Sequence, residues 1–214
     1  MPRRLFLTCL LIAGLAAPMT PARADAMADE VRALDEGWVR LTYQSADADR
    51  KARLLAQLSR SAQTLVAQHP GQAEPLLWHG ILLAEQANRA SIFRKLGLAT
   101  RSRDAIARAY RIDPRVGGGK AAIMLGVLYY KVPGSPVGFG DPARARVFLR
   151  EALAIDPDGL DANYFYGDYL LSRGDKAGAR SYLRKALEAP RDAARPLWDA
   201  GRRREVQAAL RKAA

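Results

Sequence analysis

The sequence predicts an all-α fold, a stack of antiparallel helical hairpins, on three observations. Beyond residue 26, Ala, Leu, Arg and Glu dominate, and no alternating β-branched run reaches strand length. Apolar residues recur there at spacings of three and four, the period of amphipathic helices. Three segments, QHPGQAEPLLWHG, RIDPRVGGGKAAIMLG and AIDPDGLDANYFYG, each end one helix at a proline and open the next just after it, so the chain repeats itself.

The elements follow in order. Arg3 and Arg4 precede the apolar run Leu5 to Ala17, and Ala22-Arg23-Ala24 supplies a small-x-small cleavage pattern. Residues 1–24 read as a secretory signal peptide, with an apolar part too short to span a bilayer. The sole cysteine, Cys9, would leave with it. Residues 25–214 read as one helical domain, periplasmic or secreted, with no stable membrane insertion after cleavage. Met27 to Ser45 carries Val31, Leu34, Trp38 and Leu41 at helical spacing, and Asp47 to Gln68 carries Leu54, Leu55, Leu58, Ala62 and Leu65. Together they form an N-terminal helical extension, the second helix resembling the latter half of a repeat. Repeat units are expected near residues 73–114, 119–159 and 160–190. A capping helix follows from about Ala200, with Asp199 as its N-cap and Arg202, Arg203, Arg204, Arg211 and Lys212 on its solvated side.

Within a unit, small residues mark where two helices touch. Gly167 and Ala179 stand twelve apart across the turn Arg173-Gly174-Asp175, with Leu170, Leu183 and Leu187 around the contact. Gly80, Gly126 and Ala145 occupy equivalent offsets, and Ala186 is a further small position on the second helix. This pattern resembles the tetratricopeptide repeat (TPR), a helix-turn-helix unit closed by a proline. The stretches LGVLYYKVPGSPVGFGD, DPDGLDANYFYGDYLL and RPLWDAGRRREVQAAL are similar, more narrowly, to exported TPR proteins related to the T component of TRAP-type solute transporters. That resemblance implies an accessory role beside a transporter, with a protein partner such as a periplasmic solute-binding protein. An envelope-assembly or cell-wall adaptor is the alternative reading, and self-association stays open.

Two hairpins carry insertions. Gly126 to Ala145 spans nineteen residues, about seven too many, and Gly80 to Ser102 spans twenty-two, about ten too many. Both extra stretches fall at hairpin tips, on one edge of the stack, so Val137 and Phe139 in the first insertion are candidate partner-contact residues. The inner face of the first helices offers a candidate groove for a partner segment or apolar ligand: Leu77, Ile81, Ile123, Val127, Tyr130, Tyr164, Asp168 and Leu171. The Trp38 helix or the C-terminal helix could equally fill that groove from the same chain.

Other motifs yield to simpler readings. Gly138-Phe-Gly140-Asp-Pro-Ala143 matches a dinucleotide fingerprint, but prolines precede it where a strand is needed, and Asp141-Pro142 reads as a helix start. Gly117-Gly118-Gly119 before Lys120 lacks the rest of a phosphate loop and reads as a flexible link. Asp156, Asp158 and Asp161 lack the glutamate that would complete a calcium loop. His69 and His79 lie on different elements, so no metal, cofactor or catalytic constellation is nominated. The chain carries 34 Lys and Arg against 22 acids, a formal +12 that falls to +9 without Arg3, Arg4 and Arg23. An exported chain with that excess meets anionic head groups, acidic polymers or an acidic partner rather than nucleic acid, although Arg also serves as a solvated helix former. The function expected is a non-catalytic binding scaffold.

Overall fold

The computed structural model describes residues 21–44 and 47–214. The signal peptide expected over residues 1–24 lies, up to residue 20, outside them. Nine helices run in order among the described residues: α1 Pro21–Tyr43, α2 Ala48–Gln68, α3 Ala73–Arg89, α4 Ile92–Ile112, α5 Val116–Lys131, α6 Pro142–Ile155, α7 Leu160–Ser172, α8 Lys176–Glu188 and α9 Pro196–Ala213. Consecutive helices pack as antiparallel hairpins, and the pairs stack side by side.

One contact recurs through the stack. A Cβ on Gly126 would lie 2.5 Å from Leu149 and 3.3 Å from the Ala145 carbonyl, and on Gly167 2.8 Å from Leu183 and 3.4 Å from the Ala179 carbonyl. On Gly80 it would overlap Ile106 and stand 3.1 Å from the Ser102 carbonyl. Each glycine thus lets two helix backbones approach until a leucine or isoleucine caps the gap. Ser102, wholly buried, donates its hydroxyl to the Gly80 carbonyl at 2.7 Å. The first pair repeats the contact: Gly37 on α1 meets Leu58 on α2, and the wholly buried Ala62 fills the following turn. Ala109, Ala152 and Ala186 continue the small stripe on α4, α6 and α8, none more than 1% exposed.

The insertion after Gly80 lengthens its helices, α4 running for 21 residues where α8 has 13. The insertion after Gly126 forms a tied loop: Asp141 N–H donates to the Tyr129 carbonyl and Gly140 N–H to the Pro133 carbonyl, both at 2.8 Å. Asp141 then caps α6, accepting from the N–H groups of Ala143 at 2.9 Å and Arg144 at 3.1 Å, with Pro142 in the first turn.

Three expectations need correcting. Gly117, Gly118 and Gly119 are not an indefinite link: all three have positive φ, at 62°, 66° and 89°. They make one left-handed turn before the right-handed helix resumes at Lys120, a path open only to glycine at so low a cost. Asp199 is not the N-cap of the last helix, which begins a turn earlier with Pro196. Arg195 holds the N-cap position without a side-chain hydrogen bond, and Asp192 closes the turn before it, accepting from the N–H groups of Ala194 and Arg195 at 3.0 Å each. Asp199 is buried and accepts from Arg203 Nε at 2.9 Å and Arg191 Nη1 at 2.9 Å. Arg203, far from being solvated, is 6% exposed and donates to the Leu187, Ala189 and Pro190 carbonyls, closing the end of α8.

Candidate functional site

The first and last helices meet across the inner face of the stack. Arg195 at the start of α9 pairs with Asp35 of α1 at 2.7 Å, and Gly201 leaves room for the Tyr43 ring against α9. Between α1, α3, α5, α7 and α9 a cleft of about 220 Å³ remains. All three tryptophans of the chain, Trp38, Trp78 and Trp198, line it. Ile81 of α3 and Ile123, Met124 and Val127 of α5 form its aliphatic floor, with Phe165 of α7 beside them.

Its polar groups are mostly committed. Arg202 of α9, 6% exposed, pairs with Asp161 at 2.7 Å and with Glu205, and stacks 4.7 Å from the Phe165 ring and 5.0 Å from the Tyr164 ring. Burial works against its charge, but Asp161, Tyr43 and Glu205 outweigh that and hold the guanidinium above its ordinary value. Burial, with Glu205 and Asp161 nearby, also raises the Tyr43 phenol. Tyr164 is pushed up to about 12 by burial and by Glu205. Lys120 stands 3.9 Å from Asp35 and 5.1 Å above the Trp78 ring, and burial lowers its ammonium although Asp35 and Asp161 oppose this. Of its neutral groups, Trp38 Nε1, Thr42 Oγ1 and Tyr43 Oη are buried without a hydrogen-bond partner among the described residues.

The groove residues proposed from sequence therefore separate. Ile81, Ile123 and Val127 face the cleft. Leu77 does not reach it, being fully buried in the core against Gly117. Tyr130 donates to Asp168 at 2.6 Å, Lys131 reaches the same carboxylate at 2.8 Å, and burial followed by Asp168 raises the Tyr130 phenol well above its usual value. Tyr164 lies beneath Arg202, and Leu171 packs with the α8 and α9 core. In the loop, Phe139 folds inward, its ring edge-on to Tyr129 at 5.9 Å and covered by Arg103 at 4.4 Å, whereas Val137 remains 65% exposed. The sequence reading missed Trp78, Phe165, Trp198, Arg202 and Glu205. Trp78 adjoins Leu77 one position off the assumed register, and Arg202 was hidden in a run of three arginines.

Among the described residues no group of three or more His, Cys, Asp or Glu side chains is placed to hold a metal ion, and no helix is long and apolar enough to cross a membrane. Asp158 and Asp161 are engaged by Lys185 at 3.0 Å and by Arg202.

The comparisons agree with this architecture. The tetratricopeptide repeat profile matches residues 137–213. The crystal structure of a thermophilic TPR protein from Thermus thermophilus superposes with a TM-score of 0.59 at 23% identity, covering 88% of this chain and 91% of that one. The fold is a TPR-like stack. Two crystal structures of MamA are less similar, each with a TM-score of 0.46, at 18% and 17% identity over 80% and 87% of this chain and 94% and 91% of theirs. Among curated proteins none is significantly similar in sequence.

Proposed function

We propose that this protein is an exported, non-catalytic adaptor whose inner cleft receives an apolar anchor of a protein partner, and that the partner is a solute-binding protein of a TRAP-type uptake system. The observation that carries the binding role is the cleft. At about 220 Å³ it is smaller than the ~300–1,000 Å³ of ordinary small-molecule pockets, so it suits one large side chain better than a free ligand. Three tryptophans around an aliphatic floor supply the desolvated surroundings in which anchor residues contribute most. The signal-like residues 1–24 and the resemblance of the Leu125–Asp141, Asp156–Leu171 and Arg195–Leu210 stretches support the export and transport parts of the reading.

A photoreactive amino acid at position 127, irradiated in periplasm, tests it. The expected adduct is a solute-binding protein, and Val127→Asp should abolish capture by the otherwise unmodified protein. Adducts with peptidoglycan enzymes or outer-membrane factors would replace the transport role with envelope assembly. Capture undiminished by Val127→Asp would remove the cleft from the interaction.

A further inference from the structure

We propose that the two inserted hairpin tips together form a docking edge for an anionic lipid surface. The α3–α4 and α5–α6 tips touch: Leu96 lies 3.2 Å from the Cβ position of Gly138, and Arg103 covers the Phe139 ring. Along that shared edge the structure leaves Phe93 93%, Ile92 76% and Val137 65% exposed. Isolated apolar side chains on a surface need no explanation, but three on one edge with a one-sided charge do. Residues 86–103 and 131–140 hold six Lys and Arg, of which Arg101 lies beside His79 and three others meet acids flanking or outside these segments, Glu85, Asp104 and Asp168. Arg89, Arg103 and Lys131 are paired with acids, whereas Arg94 and Lys95 are exposed and directly follow Phe93. They occupy the first turn of α4, where the helix dipole disfavours cations. Folding does not favour that placement; an external anion does.

The shape favours lipid over an acidic protein. Phe93 and Ile92 project from a tip instead of lining a groove, so a protein partner would need a fitted pocket with acids around it. A bilayer interface accepts projecting apolar side chains without a fitted shape and sets phosphates at the level of Arg94 and Lys95. The contact is peripheral and reversible, and it stands on residues separate from the cleft.

Co-sedimentation of the full chain with vesicles of phosphatidylcholine, with or without phosphatidylglycerol as a third of the lipid, tests the proposal. Every variant carries the same residues 1–24, so differences between variants report on the edge alone. Binding should be stronger with phosphatidylglycerol than without it, and that difference, over whatever the apolar residues 5–17 contribute in common, should shrink between about 0.1 and 0.5 M salt. Ile92→Ser with Phe93→Ser, and separately Arg94→Glu with Lys95→Glu, should each weaken it by roughly tenfold or more. Arg184→Glu with Arg211→Glu, the same charge change on α8 and α9, should leave it near wild type, and all variants should keep wild-type helicity. Absence of wild-type binding overturns the proposal, as does an equal loss in both charge-reversed pairs or no loss in the serine pair. Binding to polyglutamate without binding to vesicles would overturn it in favour of an acidic protein surface.

Discussion

A methyl group at residue 126 would stand 2.5 Å from Leu149 and 3.3 Å from a backbone carbonyl that cannot yield without moving α6. Gly126→Val should therefore destabilise the fold by about 2 kcal/mol, lowering Tm by roughly 4–8 °C in a thermal melt. Gly97, in α4, has nothing within 4 Å of its Cβ position. Gly97→Ala should raise stability by about 0.5–1 kcal/mol through helix propensity alone. Opposite signs from two helical glycines would separate packing from propensity, and a loss at both would contradict the assignment. Asp199 gives a pH-dependent counterpart. Burial acts to raise its carboxyl, but hydrogen bonds from Arg191 and Arg203 prevail and hold it below its ordinary 3.8. A depressed acid stabilises the fold in full above its unfolded value and loses that contribution as pH falls through the folded one. Asp199→Asn should cost about 2 kcal/mol near neutrality, with the Tm gap to wild type closing as pH drops below 3.8. A gap constant across that range would mean that the charge of Asp199 contributes nothing.

The element that divides most sharply under substitution is the 133–141 loop. Phe139 completes an aromatic group with Tyr129, and Tyr129 stacks on Phe148 at 5.7 Å, so the loop ties α5 to α6. Phe139→Ser should lower stability by about 2 kcal/mol, whereas Val137→Ser should leave Tm unchanged, both read by thermal melts. Equal melting of the two variants would deny the loop its structural half. The helices themselves were legible because their signals are local: apolar spacing, a proline after each second helix and a glycine at each close contact. The direction of Phe139 was not, because it depends on Arg103 and Tyr129, which lie on other elements. The same reason hid Arg202 and Arg203. Nothing in three consecutive arginines tells which turn inward, since the deciding partners, Asp161 and the carbonyls ending α8, stand elsewhere in the chain. The glycine triplet was read as slack because composition marks permissiveness without specifying the left-handed turn that uses it.

At the scale of the whole molecule, a stack of repeats is ordinarily one-dimensional, each unit touching only its neighbours. Here α1 reaches α9, through Arg195 and Asp35, through Tyr43 against Gly201, and through Val39 in the core that holds Trp198 and Val206. Closure joins the two ends and creates the cleft, which neither end could form alone. A single substitution should reveal that coupling. Gly201→Leu would drive a side chain into the space of the Tyr43 ring, costing about 1–3 kcal/mol and lifting α1 from α9. Because every tryptophan of the chain lines the cleft, intrinsic emission should shift to the red in native buffer. Hydrogen exchange should quicken in α1 and α9 while the α5–α6 pair, held by the Gly126 contact, stays protected. Unchanged emission with unchanged exchange in α1 would show that the ends are held independently. Faster exchange spread evenly over all helices would show that closure supports the entire stack, in which case an opening of the cleft cannot be separated from global unfolding.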